Sequence, residues 1–149
     1  MLLNRPALTA VVLATLTVGG TTALASPASA APNTTPQKVC GSSYRTVNSA
    51  PVGSRGTVYL TYNATNGKNC VVTIRNTPGE EIEMSSWIYV PDTGQAAEDY
   101  GSYTSYAGPA YVYGKAHCVD WGGNIGNVYV QITGSNCAAL KEHRTTTVR

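Results

Sequence analysis

Phenylalanine is absent from this 149-residue chain, whose aromatic residues are ten tyrosines and two tryptophans. Every aromatic position therefore carries a ring with a polar tip. Charge is scarce too: charged residues make up 12% of the chain, and the two signs read as interspersed, so no basic stripe is expected. That sets aside nucleic-acid phosphates and anionic lipid as partners. No C-x-x-C pair occurs, and His117 and His143 stand far apart, so no metal site is expected. A nucleophile elbow of the form G-x-S-x-G is missing. Asp120-Trp-Gly-Gly-Asn124 has too few oxygen ligands for a calcium loop. The apolar stretch from Ala7 to Val18 is interrupted by Thr9, Thr15 and Thr17 and falls short of the roughly 20 residues that span a bilayer.

What the chain does have begins with an export signal. Arg5, the apolar stretch and Ala28-Ser29-Ala30 make residues 1–30 a secretory signal peptide with cleavage before Ala31. The product is then expected to be secreted, with no membrane span left and a single domain of 119 residues. All four cysteines lie in that product, and an oxidising compartment makes two disulfides the expectation. Three pairings are open. Cys40–Cys70 with Cys118–Cys137 is preferred, because each pair flanks strand-like segments that are near neighbours along the chain.

Residues 31–38 contain two prolines and no apolar spacing, and are read as a flexible leader. The domain is expected over residues 39–138. Val58, Leu60 and Tyr62 alternate with Thr57, Tyr59 and Thr61, the period of a half-buried strand. A turn at Asn66-Gly67 leads into a second alternating stretch, Cys70 to Arg75, which predicts a hairpin. Further strands are expected over Met84–Val90, within Tyr100–Tyr113, over His117–Trp121 and over Val128–Ile132, with Gly122-Gly123-Asn124 as the last turn. Gln95 to Asp99 has a helix-favouring composition but is too short for a stable helix. The reading is all-β: a small disulfide-stapled antiparallel β-sandwich or barrel of about six to eight short strands. Residues 139–149 lack alternation and are expected to be a disordered tail.

No catalytic residue is assigned and no cofactor is expected. His117 is the one histidine inside the domain and reads as an ordinary strand histidine beside Cys118. Glu80, Glu81 and Glu83 crowd a turn, and Asp120 beside Trp121 is explained by the turn that follows it. The tyrosine-rich stretch is the unusual feature, and the candidate binding surface is Trp87, Trp121, Tyr103, Tyr106, Tyr111 and Tyr113.

Whole segments carry a family resemblance. Val39-Cys-Gly-Ser, Gly56-Thr-Val-Tyr-Leu-Thr-Tyr-Asn63, Asn66-Gly-Lys-Asn-Cys-Val-Val-Thr-Ile-Arg75, Trp87-Ile-Tyr-Val-Pro-Asp-Thr93, Tyr103-Thr-Ser-Tyr-Ala-Gly-Pro-Ala-Tyr-Val-Tyr-Gly114 and His117-Cys-Val-Asp-Trp-Gly-Gly123 resemble the spore-associated protein A family of filamentous, spore-forming actinomycetes. The resemblance implies an exported protein at the spore surface with no established enzymatic activity and no catalytic residues to carry over. The expected function is non-enzymatic adhesion or binding at the spore wall, with wall or coat components, polysaccharide among them, as partners. A secreted carbohydrate-binding or hydrolase-inhibitor module is the alternative, and the oligomeric state stays open.

Overall fold

In the computed structural model, residues 33–137 and 147–148 are described. The signal peptide lies outside these residues, as do the first two residues of the leader and most of the tail. Eight strands of seven to nine residues follow one short helix, α1 (Pro36–Cys40). They are β1 (Arg45–Val52), β2 (Gly56–Asn63), β3 (Lys68–Arg75), β4 (Ile82–Val90), β5 (Gln95–Tyr103), β6 (Tyr106–Tyr113), β7 (Val119–Ile125) and β8 (Val128–Ser135). A two-residue strand, β9 (Thr147–Val148), pairs with β8, so the segment expected to be a disordered tail adds an edge to the sheet. The strands form two antiparallel sheets, ordered β1-β2-β3-β6 and β5-β4-β7-β8-β9. The all-β expectation holds, and the sandwich alternative is the one adopted.

Alternation builds the core. Val58, Leu60 and Val71 of the four-stranded sheet face Met84, Ile88, Trp121, Ile125 and Val130 of the five-stranded sheet, all essentially inaccessible to water. Burying apolar area on this scale, at about 25 cal/mol per Å² removed from water, is the main term favouring the fold. A buried hydroxyl cluster links the two sheets. The Thr73 hydroxyl donates to the Ser85 carbonyl at 2.8 Å, and Ser86 Oγ lies 2.9 Å from both Thr73 Oγ1 and the Ala107 carbonyl. Buried hydroxyls need such partners, because an unmet one costs about 1–3 kcal/mol.

A second, smaller cluster lies on the outer side of the four-stranded sheet, where Cys40, Tyr44, Cys70, Val72 and Ile74 are buried with Val39 and Tyr59 packed against them. Order begins earlier than the leader reading allowed. Thr35 caps α1, accepting from the Lys38 amide, Pro36 sits in its first turn, and Gly41 ends it at φ 113°. Five residues do not hold a helix alone. Here the Cys40–Cys70 disulfide ties α1 to β3, the Tyr111 hydroxyl donates to the Cys40 carbonyl at 2.9 Å, and the Tyr44 and Tyr111 rings pack at 5.6 Å. The second disulfide, Cys118–Cys137, joins the segment entering β7 to the end of β8.

The hairpin around Asn66-Gly67 forms as read, with Gly67 at φ 71° and the two strands paired from Gly56↔Arg75 to Asn63↔Lys68. The last hairpin differs. Gly122, Gly123 and Asn124 lie inside β7, and the turn comes at Gly126 and Asn127. These glycines serve close approach, not turning: a Cβ on Gly122 would collide with the Val130 carbonyl, and one on Gly123 with Thr73 Oγ1. Gln95 to Asp99 is part of β5, paired with β4 over nine residues. Gly108 and Pro109 do not break the tyrosine-rich stretch either; they form a bulge within β6 opposite Val72, and the bend falls at Thr104-Ser105.

Candidate functional site

Register sorts the aromatic side chains onto different surfaces. Trp121 belongs to the core at 0% exposure and is withdrawn from the candidate surface. Its indole N–H donates to Ser135 Oγ at 3.1 Å, so even its polar tip is occupied. Val119, Trp121 and Ile125 all lie on the inward phase of β7, and that phase outweighs the neighbouring carboxylate as a guide. Tyr103 packs against the core from the end of β5, and its hydroxyl donates to Asp99 Oδ1 at 2.7 Å. That bond, with slight desolvation and the Asp99 charge, holds the Tyr103 phenol above its ordinary pKa. The other Asp99 oxygen accepts from the Gly108 amide, so this carboxylate fastens β5 to the β6 bulge.

Tyr106, Tyr111 and Tyr113 are exposed on the outer side of the four-stranded sheet. Tyr111 is committed to holding α1. Trp87 stands on the opposite side of the molecule, on the outer side of the five-stranded sheet. The six predicted residues are therefore not one surface.

Around Trp87 the structure assembles a surface that sequence reading missed. With Met84, Ile88 and Val90 inward, β4 presents Glu83, Trp87 and Tyr89 outward. The pairings Ser85↔Tyr100 and Trp87↔Glu98 place Tyr100 and Glu98 of β5 beside them. Trp87↔Gly122 and Ser85↔Asn124 bring in β7, and Asn124↔Tyr129 and Gly122↔Gln131 bring in β8. Tyr89, Tyr100 and Tyr129 are 39%, 61% and 39% exposed, large apolar area to leave open on four adjacent strands. The Trp87 indole lies across Gly122, where a Cβ would come within 2.8 Å of Cζ2. Beside it Glu83, Glu98, Asn124 and Tyr129 line a shallow groove. A hydrogen bond to Glu83, slight desolvation, and the charges of Glu83 and Glu98 raise the Tyr100 pKa above its usual value.

The charges are not interspersed. From Asn33 to Arg75 there are five basic residues and no acidic one; from Asn76 to Cys137 there are seven acidic residues and one basic, Lys115. Because β1 to β3 come from the first stretch and β4, β5, β7 and β8 from the second, the sheets divide the signs. The strands β4, β5, β7 and β8 carry Glu83, Glu98, Asp99 and Asp120 and neither Lys nor Arg.

Asp120 and His117 each make a hydrogen bond within the fold. Asp120 Oδ1 accepts from the Gly134 amide at 2.7 Å, fastening the β8 bulge that faces it. His117 lies in the loop before β7, and its Nδ1 is 3.1 Å from Asp92 Oδ2. No hydroxyl is hydrogen-bonded to its other ring nitrogen among the described residues. No group of three or more His, Cys, Asp or Glu is placed to hold a metal ion among them, and no helix there is long and apolar enough to cross a membrane.

No family model and no solved structure matches the chain. Among curated proteins it is similar to spore-associated protein A of Streptomyces coelicolor, with 55% identity over 102 residues. The match covers 68% of this chain and 66% of that relative. Identity at that level over that length far exceeds what a shared sandwich architecture alone would produce, and the chain belongs to the spore-associated protein A family.

Proposed function

We propose that this is an exported, spore-associated protein that works by contact, not turnover, binding wall or coat polymer at the spore surface through the outer face of its five-stranded sheet. One observation carries the reading: Trp87, Tyr89, Tyr100 and Tyr129 share one open sheet face. A ring-bearing face of this kind suits binding, because flat rings offer apolar area at small entropic cost. The spore setting is supported by the name of the relative, and export by the signal-like N-terminus.

The test is retention on washed cells. Purified mature protein is expected to stay on washed spores and to leave vegetative mycelium in the wash. The Trp87→Ala, Tyr100→Ala double variant should be lost from spores by about tenfold or more, since buried aromatic anchors at an interface cost about 2 kcal/mol or more when truncated. Full retention of the folded double variant would remove this face from the function.

A further inference from the structure

Resting on that contact reading, we infer that the occupant of the face is an amine-bearing glycan, a glucosamine-type polymer from which acetyl groups have been removed. The rings supply a platform that any sugar could use, so the choice among sugars falls to charge. Glu83 and Glu98 are exposed and Asp120 is half-buried on this face, and none of its four long strands bears a cation to neutralise them. Arg55, whose guanidinium donates to the Ile125 carbonyl beside Gly126 at one end of the groove, is one cation against these three carboxylates, so the surface favours cations over phosphate- or uronate-bearing polymers. A fully acetylated polymer would cover the carboxylates and give them no counter-charge, which burial penalises. Protonated amines spaced along a sugar chain meet both demands. They pair with Glu83 and Glu98, and they are drawn to the open faces of Trp87 and Tyr100.

The same chemistry in a basic peptide fits less well. Extended peptides bind a sheet by adding to an exposed edge. Here Trp87 and Tyr89 stand on β4, which is paired on both sides with β5 and β7, so a peptide added at the β5 edge would lie two strands away from them. What is offered is a flat face with the amides of Asn124 and Gln131 beside it, suited to ring stacking and to hydroxyl groups.

The test titrates the mature protein with short glucosamine oligomers, one set N-acetylated and one with free amines. It is run at about pH 5.5, where glutamate, with an ordinary pKa of about 4.3, is ionised. The free-amine set is expected to bind about tenfold more tightly. Glu83→Gln with Glu98→Gln should remove most of that preference, each exposed ion pair being worth up to about fivefold. Asp92→Asn with Glu80→Gln, an equal charge change outside the four strands of this face, should leave the preference intact, and salt near 1 M should erase it. Equal, salt-insensitive binding of both oligomers, still abolished by Trp87→Ala, would overturn the amine assignment and leave the contact reading standing. Binding of poly-lysine as tight as that of the free-amine oligomers would overturn the glycan class. Binding of neither oligomer, or binding unaffected by Trp87→Ala, would overturn both.

Discussion

Replacing Trp121 with alanine is expected to cost about 3–5 kcal/mol of folding stability, a large part of the 5–15 kcal/mol typical of a domain. The residue is fully buried in the main core, and its truncation opens a cavity between the sheets and leaves Ser135 without its donor. Trp87, the other tryptophan, should cost less, about 1–2 kcal/mol, because it is half-buried on the outer face with its indole against Gly122. Urea unfolding of the two oxidised variants checks the contrast. Equal losses would mean that the inward and outward phases of β4 and β7 are misassigned. The pair of variants also separates the roles: Trp121→Ala should reduce the amount of folded protein, and Trp87→Ala the contact it makes.

Removing the Cys40–Cys70 bridge by a double serine substitution should destabilise the domain by about 3–4 kcal/mol, as expected for a crosslink between residues 30 apart. In a domain of this size that corresponds to a drop in Tm of roughly 10–20 °C. The effect has a local part as well. Without the bridge, α1 loses its covalent tie to β3, and Val72, Ile74 and Tyr59 lose their cover. Hydrogen exchange in the variant should therefore rise first in α1 and on β3, before the main core opens. An unchanged Tm would show that the bridge adds nothing beyond the contacts around it.

How much of this was legible beforehand depends on how each strand is buried. β2 and β4 carry an inward apolar face that shows as alternation, β3 is buried on both sides with Cys70, Val72 and Ile74 facing outward under α1, and the Asn66-Gly67 turn is a local signal. β1 was missed because its first five residues are exposed and only Ala50 and Val52 enter the core. β5 was obscured by composition: Gln-Ala-Ala-Glu-Asp favours a helix, and a nine-residue ladder with β4 overrides it. The glycines of β7 look like a turn because close approach, to Trp87 at Gly122 and to the opposite sheet at Gly123, selects glycine as tight turning does, and only packing tells them apart.

The binding face was readable in part. Once Met84, Ile88 and Val90 are taken as inward, Trp87 and Tyr89 must point the other way, and Tyr129 between Val128 and Val130 follows the same logic. What β4's sequence does not reveal is its position between β5 and β7, and that placement alone brings Tyr100 and Glu98 alongside Trp87. The division of charge could have been seen directly, since no acidic residue precedes Glu80 in the whole chain. Counting totals hid it; counting by segment exposes it.

Having one tryptophan on the face and one in the core, the protein carries its own reporter. Acrylamide quenching of intrinsic fluorescence, measured with the mature protein free and then bound to purified spore-wall fragments, asks directly whether the five-stranded sheet is the side that makes contact. Binding should shield the quenchable fraction, which belongs to Trp87, and Trp87→Phe should lack that fraction from the start. If the protein sediments with the wall while Trp87 stays as open to acrylamide as in solution, the contact lies on another surface and the function assigned to this face is wrong.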